Sequence, residues 1–94
     1  MFVLLLSYTR PLAEVDAVMR DHVRWLDEHY DAGRFVVSGR QIPRTGGVIV
    51  ARGDDREEIE RIAASDPFVR EGVATCEIVQ FRASQTAAGL EGLR

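Results

Sequence analysis

The sequence predicts an α+β fold of the split-βαβ, ferredoxin-like kind, a four-stranded antiparallel sheet with two helices on one face. Three observations carry that expectation. Apolar residues recur at a strand-like period of about 2 or a helix-like period of about 3.6, in the order β-α-β-β-α-β. The breaks between these segments fall on turn and cap residues: Pro11, Gly33, "IPRTGG" and "GDD". The chain has 94 residues, enough for one hydrophobic core and too few for two.

Phe2 to Tyr8, "FVLLLSY", is almost continuously apolar and reads as the first strand. No basic segment precedes it and no small-residue cleavage site follows, so a strand is expected rather than a leader peptide. Pro11 opens the next element and keeps "YTR" extended ahead of it. From there Leu12, Val15, Val18 or Met19, His22, Trp25 or Leu26, and His29 recur at three- and four-residue steps, one face of a long helix. Gly33 stands where that helix should stop.

"RFVVSGRQ" and "GGVIVAR" read as the second and third strands. "GDDREEIERIAAS" is a second helix, capped by Asp54 or Asp55, with further acids where the helix dipole favours them. After "DPFVREG" comes the last strand, "VATCEIVQFR". Residues 1–83 are expected to form the folded domain, and residues 84–94 a flexible or partner-contacting tail.

The composition, 46% apolar and 29% charged, is that of a globular chain. A net charge of −3 with scattered arginines and no lysine argues against nucleic acid, which needs concentrated cations. No stretch approaches the roughly 20 apolar residues that span a membrane, so no membrane partner and a cytoplasmic location are expected. The single cysteine, Cys76, excludes an intrachain disulfide and reads as a small apolar strand residue.

The strands pose a problem. Phe2, Leu4 and Leu6 point one way and Val3 and Leu5 the other, and Val48, Val50, Ile49, Val79, Phe81 and Ile78 repeat the pattern. A sheet with one wet face alternates apolar and polar residues instead. A second copy of the chain, packed sheet face to sheet face about a twofold axis, is the expected cover.

His22 is the sharpest candidate for chemistry, because it interrupts the apolar face of the first helix between Met19 and Leu26. A core histidine bonded to a backbone carbonyl fits the same position. In this topology, however, the two helices lie side by side, and Asp66 follows the second. A carboxylate beside an imidazole fixes its tautomer and supports general acid/base work. Asp66 also suits a cap, with Pro67 at the first position of a short turn, and the two roles are compatible. His22 and His29 lie about 10.5 Å apart along a helix, too far for one metal with Zn–N bonds near 2 Å, so no metal site is expected. Tyr8 and Arg10, at the end of the first strand, suit either an anionic substrate or plain solvation.

These features together resemble the YCII-related (YciI-like) family of the dimeric α/β-barrel superfamily. The likeness runs from about Phe2 to Phe81 and rests on the apolar first strand, "HVRWL", "GRFVVSGRQ", "GGVIV" and an acidic helix leading into "DPF". The histidine and the "DPF" aspartate are its most specific marks. The resemblance implies a pocket in which His22 and Asp66 form a catalytic dyad, with Ser38 and Gly39 on the adjoining strand; Pro67 and Phe68, read from the turn itself, would fix the loop and wall that pocket. The family usually places proline after that glycine; here Arg40 and Gln41 follow, which bears on substrate preference. The resemblance also extends to a dehydrochlorinase acting on chlorinated hydroxyhydroquinones and, more distantly, to muconolactone isomerases. Cofactor-free lyase, isomerase or dehydrochlorinase chemistry on a small hydroxylated or lactone-like substrate is therefore one expectation. A non-catalytic ligand-binding or regulatory module on the same dimeric scaffold is the other, since a fold does not choose between them.

Overall fold

The computed structural model describes all residues, 1–94. The elements are β1 (Phe2–Tyr8), α1 (Leu12–Asp31), β2 (Phe35–Arg40), β3 (Gly46–Ala51), α2 (Arg56–Ala64), α3 (Pro67–Arg70) and β4 (Ala74–Gln80), with a 3-10 turn at Glu91–Leu93. The antiparallel sheet has the order β2-β3-β1-β4. This is the expected ferredoxin-like topology, with α3 as an additional single turn.

β1 lies between β3 and β4 and organises the core. Leu4 faces Ile49 on one side and Ile78 on the other. Phe2, Leu4 and Leu6 are buried against the helices, whereas Val3 and Leu5 on the opposite face are half-buried. Each such fully buried side chain contributes about 1.5–3 kcal/mol. Gly46 is required by the pairing, since a Cβ there would collide with the carbonyl oxygen of Leu6.

α1 begins after Pro11, whose carbonyl accepts from the backbone N–H groups of Glu14 and Val15. It stops as the sequence predicts. Gly33 adopts φ 75°, the Gly33 N–H donates to Tyr30 and the Arg34 N–H to His29, a Schellman closure. Val15, His22 and Trp25 are its buried residues. Leu12, expected on the same face, is 43% exposed, because it lies in the first turn beyond the sheet's cover. α2 is capped by Asp55, whose carboxylate accepts from the Glu58 N–H at 3.2 Å, and buries Ile59 and Ala63.

β2 carries a bulge between Phe35 and Val37. Phe35 pairs with Ala51 on the helix-covered face, yet Val37 pairs with Val50 on the outer face and Ser38 with Ile49 inside. Simple alternation from Phe35 would have put Val37 inside and Ser38 outside. One extra residue reverses both.

The outer face of the sheet carries an apolar row, beside which Thr75 and Glu77 of β4 also face outward. Val3, Val50, Val79 and Val37 line it in one row across the four strands, and Val37 and Val79 are 56% and 42% exposed.

Candidate functional site

The site is built where α1, the turn after α2 and the far end of β1 meet. The α2 helix ends at Ser65, and Asp66 then turns extended (φ −61°, ψ 125°) with Pro67 at the first position of α3. The Asp66 Oδ1 accepts the Phe68 N–H at 3.0 Å, so the predicted cap exists. The same oxygen lies 2.7 Å from His22 Nδ1. Asp66 is 0% exposed and His22 7%.

An acceptor oxygen that already receives an N–H calls for a donor on the imidazole side. In the neutral ring this assigns the proton to Nδ1 and leaves Nε2 as the free base. Nε2 has no hydrogen-bond partner within the chain, and it is not among the buried polar atoms sealed without one. Asp66 Oδ2 is sealed and unpaired. The carboxylate therefore spends one oxygen on two donors and keeps the imidazole aimed.

Aromatic rings fix the histidine from the side. The Phe68 ring stacks on His22 at 3.8 Å between centroids, with planes 5° apart. Tyr8 meets Phe68 edge-on at 5.9 Å. A second strut ties the same turn to α1: Trp25 Nε1 donates to Ser65 Oγ at 2.9 Å, and that hydroxyl donates to the Ile62 carbonyl at 2.6 Å. The sequence places Trp25 on the apolar face of the first helix and gives Ser65 no partner, so neither stands out there as part of this strut.

The other predicted positions separate into two groups. Tyr8 and Phe68 join the histidine through ring contacts. Arg10 does not; it forks onto Glu14 one helical turn away, at 3.1 Å through two nitrogens, and is exposed. Ser38 bonds the Tyr30 hydroxyl at 2.5 Å, and Gly39 lies opposite Val48. His29 packs on Trp25 and Phe35, and burial followed by the nearby Arg34 guanidinium holds its pKa below the ordinary 6.5. Cys76 sits behind the dyad on β4, where burial, helped by the Asp66 charge, pushes its thiol up to about 11. No three His, Cys, Asp or Glu side chains cluster as a metal site. A cleft of about 720 Å³ lies at the opposite end of β1, lined by Arg52, Asp54, Gln80, Phe81 and Arg82 among others, and includes neither dyad residue.

The fold and this buried histidine–carboxylate pair define a small ferredoxin-like domain organised around an aimed imidazole. The chain belongs to the YCII-related domain family, which it matches over residues 1–82. Among solved structures it is similar to the 5-chloro-2-hydroxyhydroquinone dehydrochlorinase TftG of Burkholderia phenoliruptrix AC1100, determined with 2,5-dihydroxybenzoquinone. That likeness has a TM-score of 0.71 at 17% identity and covers 86% of this chain and 93% of the other. No curated protein matches the sequence. No helix is long and apolar enough to cross a membrane.

Proposed function

We propose that this chain is a small cofactor-independent enzyme of the lyase or isomerase type, in which His22 Nε2 carries protons to and from a small hydroxylated ring or lactone-like substrate. The observation that carries this reading is the 2.7 Å contact of His22 Nδ1 with a fully buried carboxylate while Nε2 has no partner within the chain. Asp66 orients the ring and stabilises the imidazolium that forms when Nε2 accepts a proton.

On a chlorinated hydroxyhydroquinone the balance is simple. Nε2 takes a hydroxyl proton and returns a proton to the ring carbon that bears chlorine, giving a ketone tautomer. Loss of the second hydroxyl proton then expels chloride and leaves a hydroxyquinone. The net change is loss of HCl, with no external oxidant or reductant. The likeness to a dehydrochlorinase structure supports testing this substrate first.

The functional unit in this reading is a homodimer. Val3, Val37, Val50 and Val79 form the outer row that a second copy covers, and a stable contact needs about 800 Å² from each partner.

The direct test is turnover of 5-chloro-2-hydroxyhydroquinone by the wild type, His22→Gln and Asp66→Asn, followed by chloride release. The wild type should release chloride and both variants should lose the activity while remaining folded. Full activity in both variants sinks the dyad. The cap bond from Phe68 to Asp66 also suits a ligand-binding module without chemistry; that reading predicts ligand binding that stays flat between about pH 5 and 8 and no turnover.

A further inference from the structure

The loop between β2 and β3 brings a cation to the dyad's end of the sheet. Arg44 places its guanidinium carbon 5.9 Å from the centre of the Tyr8 ring, and its Nη2 donates to Asp16 Oδ1. Its side chain is 23% exposed, and Nε is sealed without a partner. Tyr8 in turn touches Phe68, and Phe68 stacks on His22. Arg44, Tyr8, Phe68 and His22 thus form one continuous line of contacts.

Spacing along α1 agrees with this arrangement. Asp16, which holds Arg44, precedes His22 by six residues, about 9 Å along the helix axis. Two cations act on Asp16, Arg44 and, at longer range, Arg40, and its carboxyl is held below its ordinary range mainly by the Arg44 bond. Asp16 is 56% exposed, and an ion pair open to water is weak enough to exchange one carboxylate for another anionic oxygen. Arg10, the cation expected from the sequence, pairs with Glu14, and the cation over the Tyr8 ring is Arg44.

We infer that Arg44 determines specificity at this site by binding an anionic oxygen of the substrate, a phenolate, enolate or carboxylate, at the end of the ring remote from His22. Asp16 is the latch that parks the guanidinium over Tyr8 when no ligand is bound. A guanidinium is suited to this work because it stays charged and offers several donors in a planar fork. The inference rests on the dyad reading for what lies at the other end of the ring.

Calorimetric titration with two probes tests it. At pH 7 the acidic 2,5-dihydroxybenzoquinone presents anionic oxygens and hydroquinone does not. Arg44→Gln should weaken binding of the first about 10- to 100-fold and leave the second within about twofold, as expected for loss of one charge-assisted contact. Arg44→Lys should restore part of the loss. Asp16→Asn should bind the acidic probe as tightly as the wild type or more tightly, because a competing carboxylate is gone. Unchanged binding in Arg44→Gln, equal loss for both probes, or no binding of the acidic probe by the wild type would each overturn the assignment. Loss of anion binding in Arg44→Gln alongside full turnover in His22→Gln would instead leave Arg44 standing and remove the dyad.

Discussion

Asp66 Oδ1 serves two donors at once, the Phe68 backbone N–H at 3.0 Å and His22 Nδ1 at 2.7 Å. The cap holds the carboxylate still, and the still carboxylate holds the histidine. Two substitutions separate these tasks. Asp66→Ala removes the cap, about 1 kcal/mol, and strands Nδ1 in a buried site, about 1–3 kcal/mol more. Asp66→Asn keeps a capping oxygen, so its urea midpoint should stay much closer to that of the wild type. Its turnover should still fall about 10²- to 10⁴-fold, the usual worth of general acid/base catalysis.

Phe68 is both core and wall. Its ring is 2% exposed and stacked on His22. Phe68→Ala should cost about 3–5 kcal/mol by denaturant titration. Phe68→Leu should cost much less stability, yet still shift the His22 ring resonances, because the stacked face is lost.

Cys76 should be inert in the fold. With its pKa raised from 9.0 to about 11, its thiolate at pH 8 is about 100-fold scarcer than that of an ordinary thiol. Alkylation by iodoacetamide should therefore be slow in the native protein and fast in urea. Equal rates would show that the thiol is neither buried nor influenced by Asp66.

His29 gives the fold a pH dependence. Its folded pKa lies below the 6.5 of the unfolded chain, so unfolded protein binds the proton more readily. The stabilisation is present above about pH 6.5 and is lost as the pH falls through the lower folded value. Between pH 7.5 and 5 the wild type should lose more stability than His29→Gln in paired urea titrations. Parallel losses would remove His29 as the cause.

The outer sheet face should fail when charged. Val50 sits on β3 opposite Val3 and Val37. In sedimentation, the wild type should run at twice the mass of the chain and Val50→Asp at the mass of one chain. A monomeric wild type would contradict the dimer.

The fold was legible because its signals are local. The helix stop at Gly33, the cap at Asp55 and the apolar run of β1 each follow from neighbouring residues. His22 and Asp66 were legible because each departs from its surroundings, a histidine on an apolar face and an acid ahead of proline and phenylalanine. Ser38 was harder, since its side of the sheet depends on a one-residue bulge that alternation does not foresee. Arg44 left no periodic trace at all. It lies in a turn, and only the folded loop carries it to Asp16 and Tyr8. Arg10, adjacent to Tyr8 in sequence, was the natural guess, and Glu14 four residues on claims it.

The most direct test of the central claim is the tautomer of His22 in the unliganded protein, read from long-range ¹H–¹⁵N correlations of the imidazole ring. The neutral ring should carry its proton on Nδ1, facing Asp66, with Nε2 bare, and Asp66→Ala, which removes the accepting oxygen, should disturb that pattern. A neutral ring protonated on Nε2 in the wild type, or one indifferent to Asp66→Ala, would contradict the proposal that this carboxylate aims His22 for proton transfer.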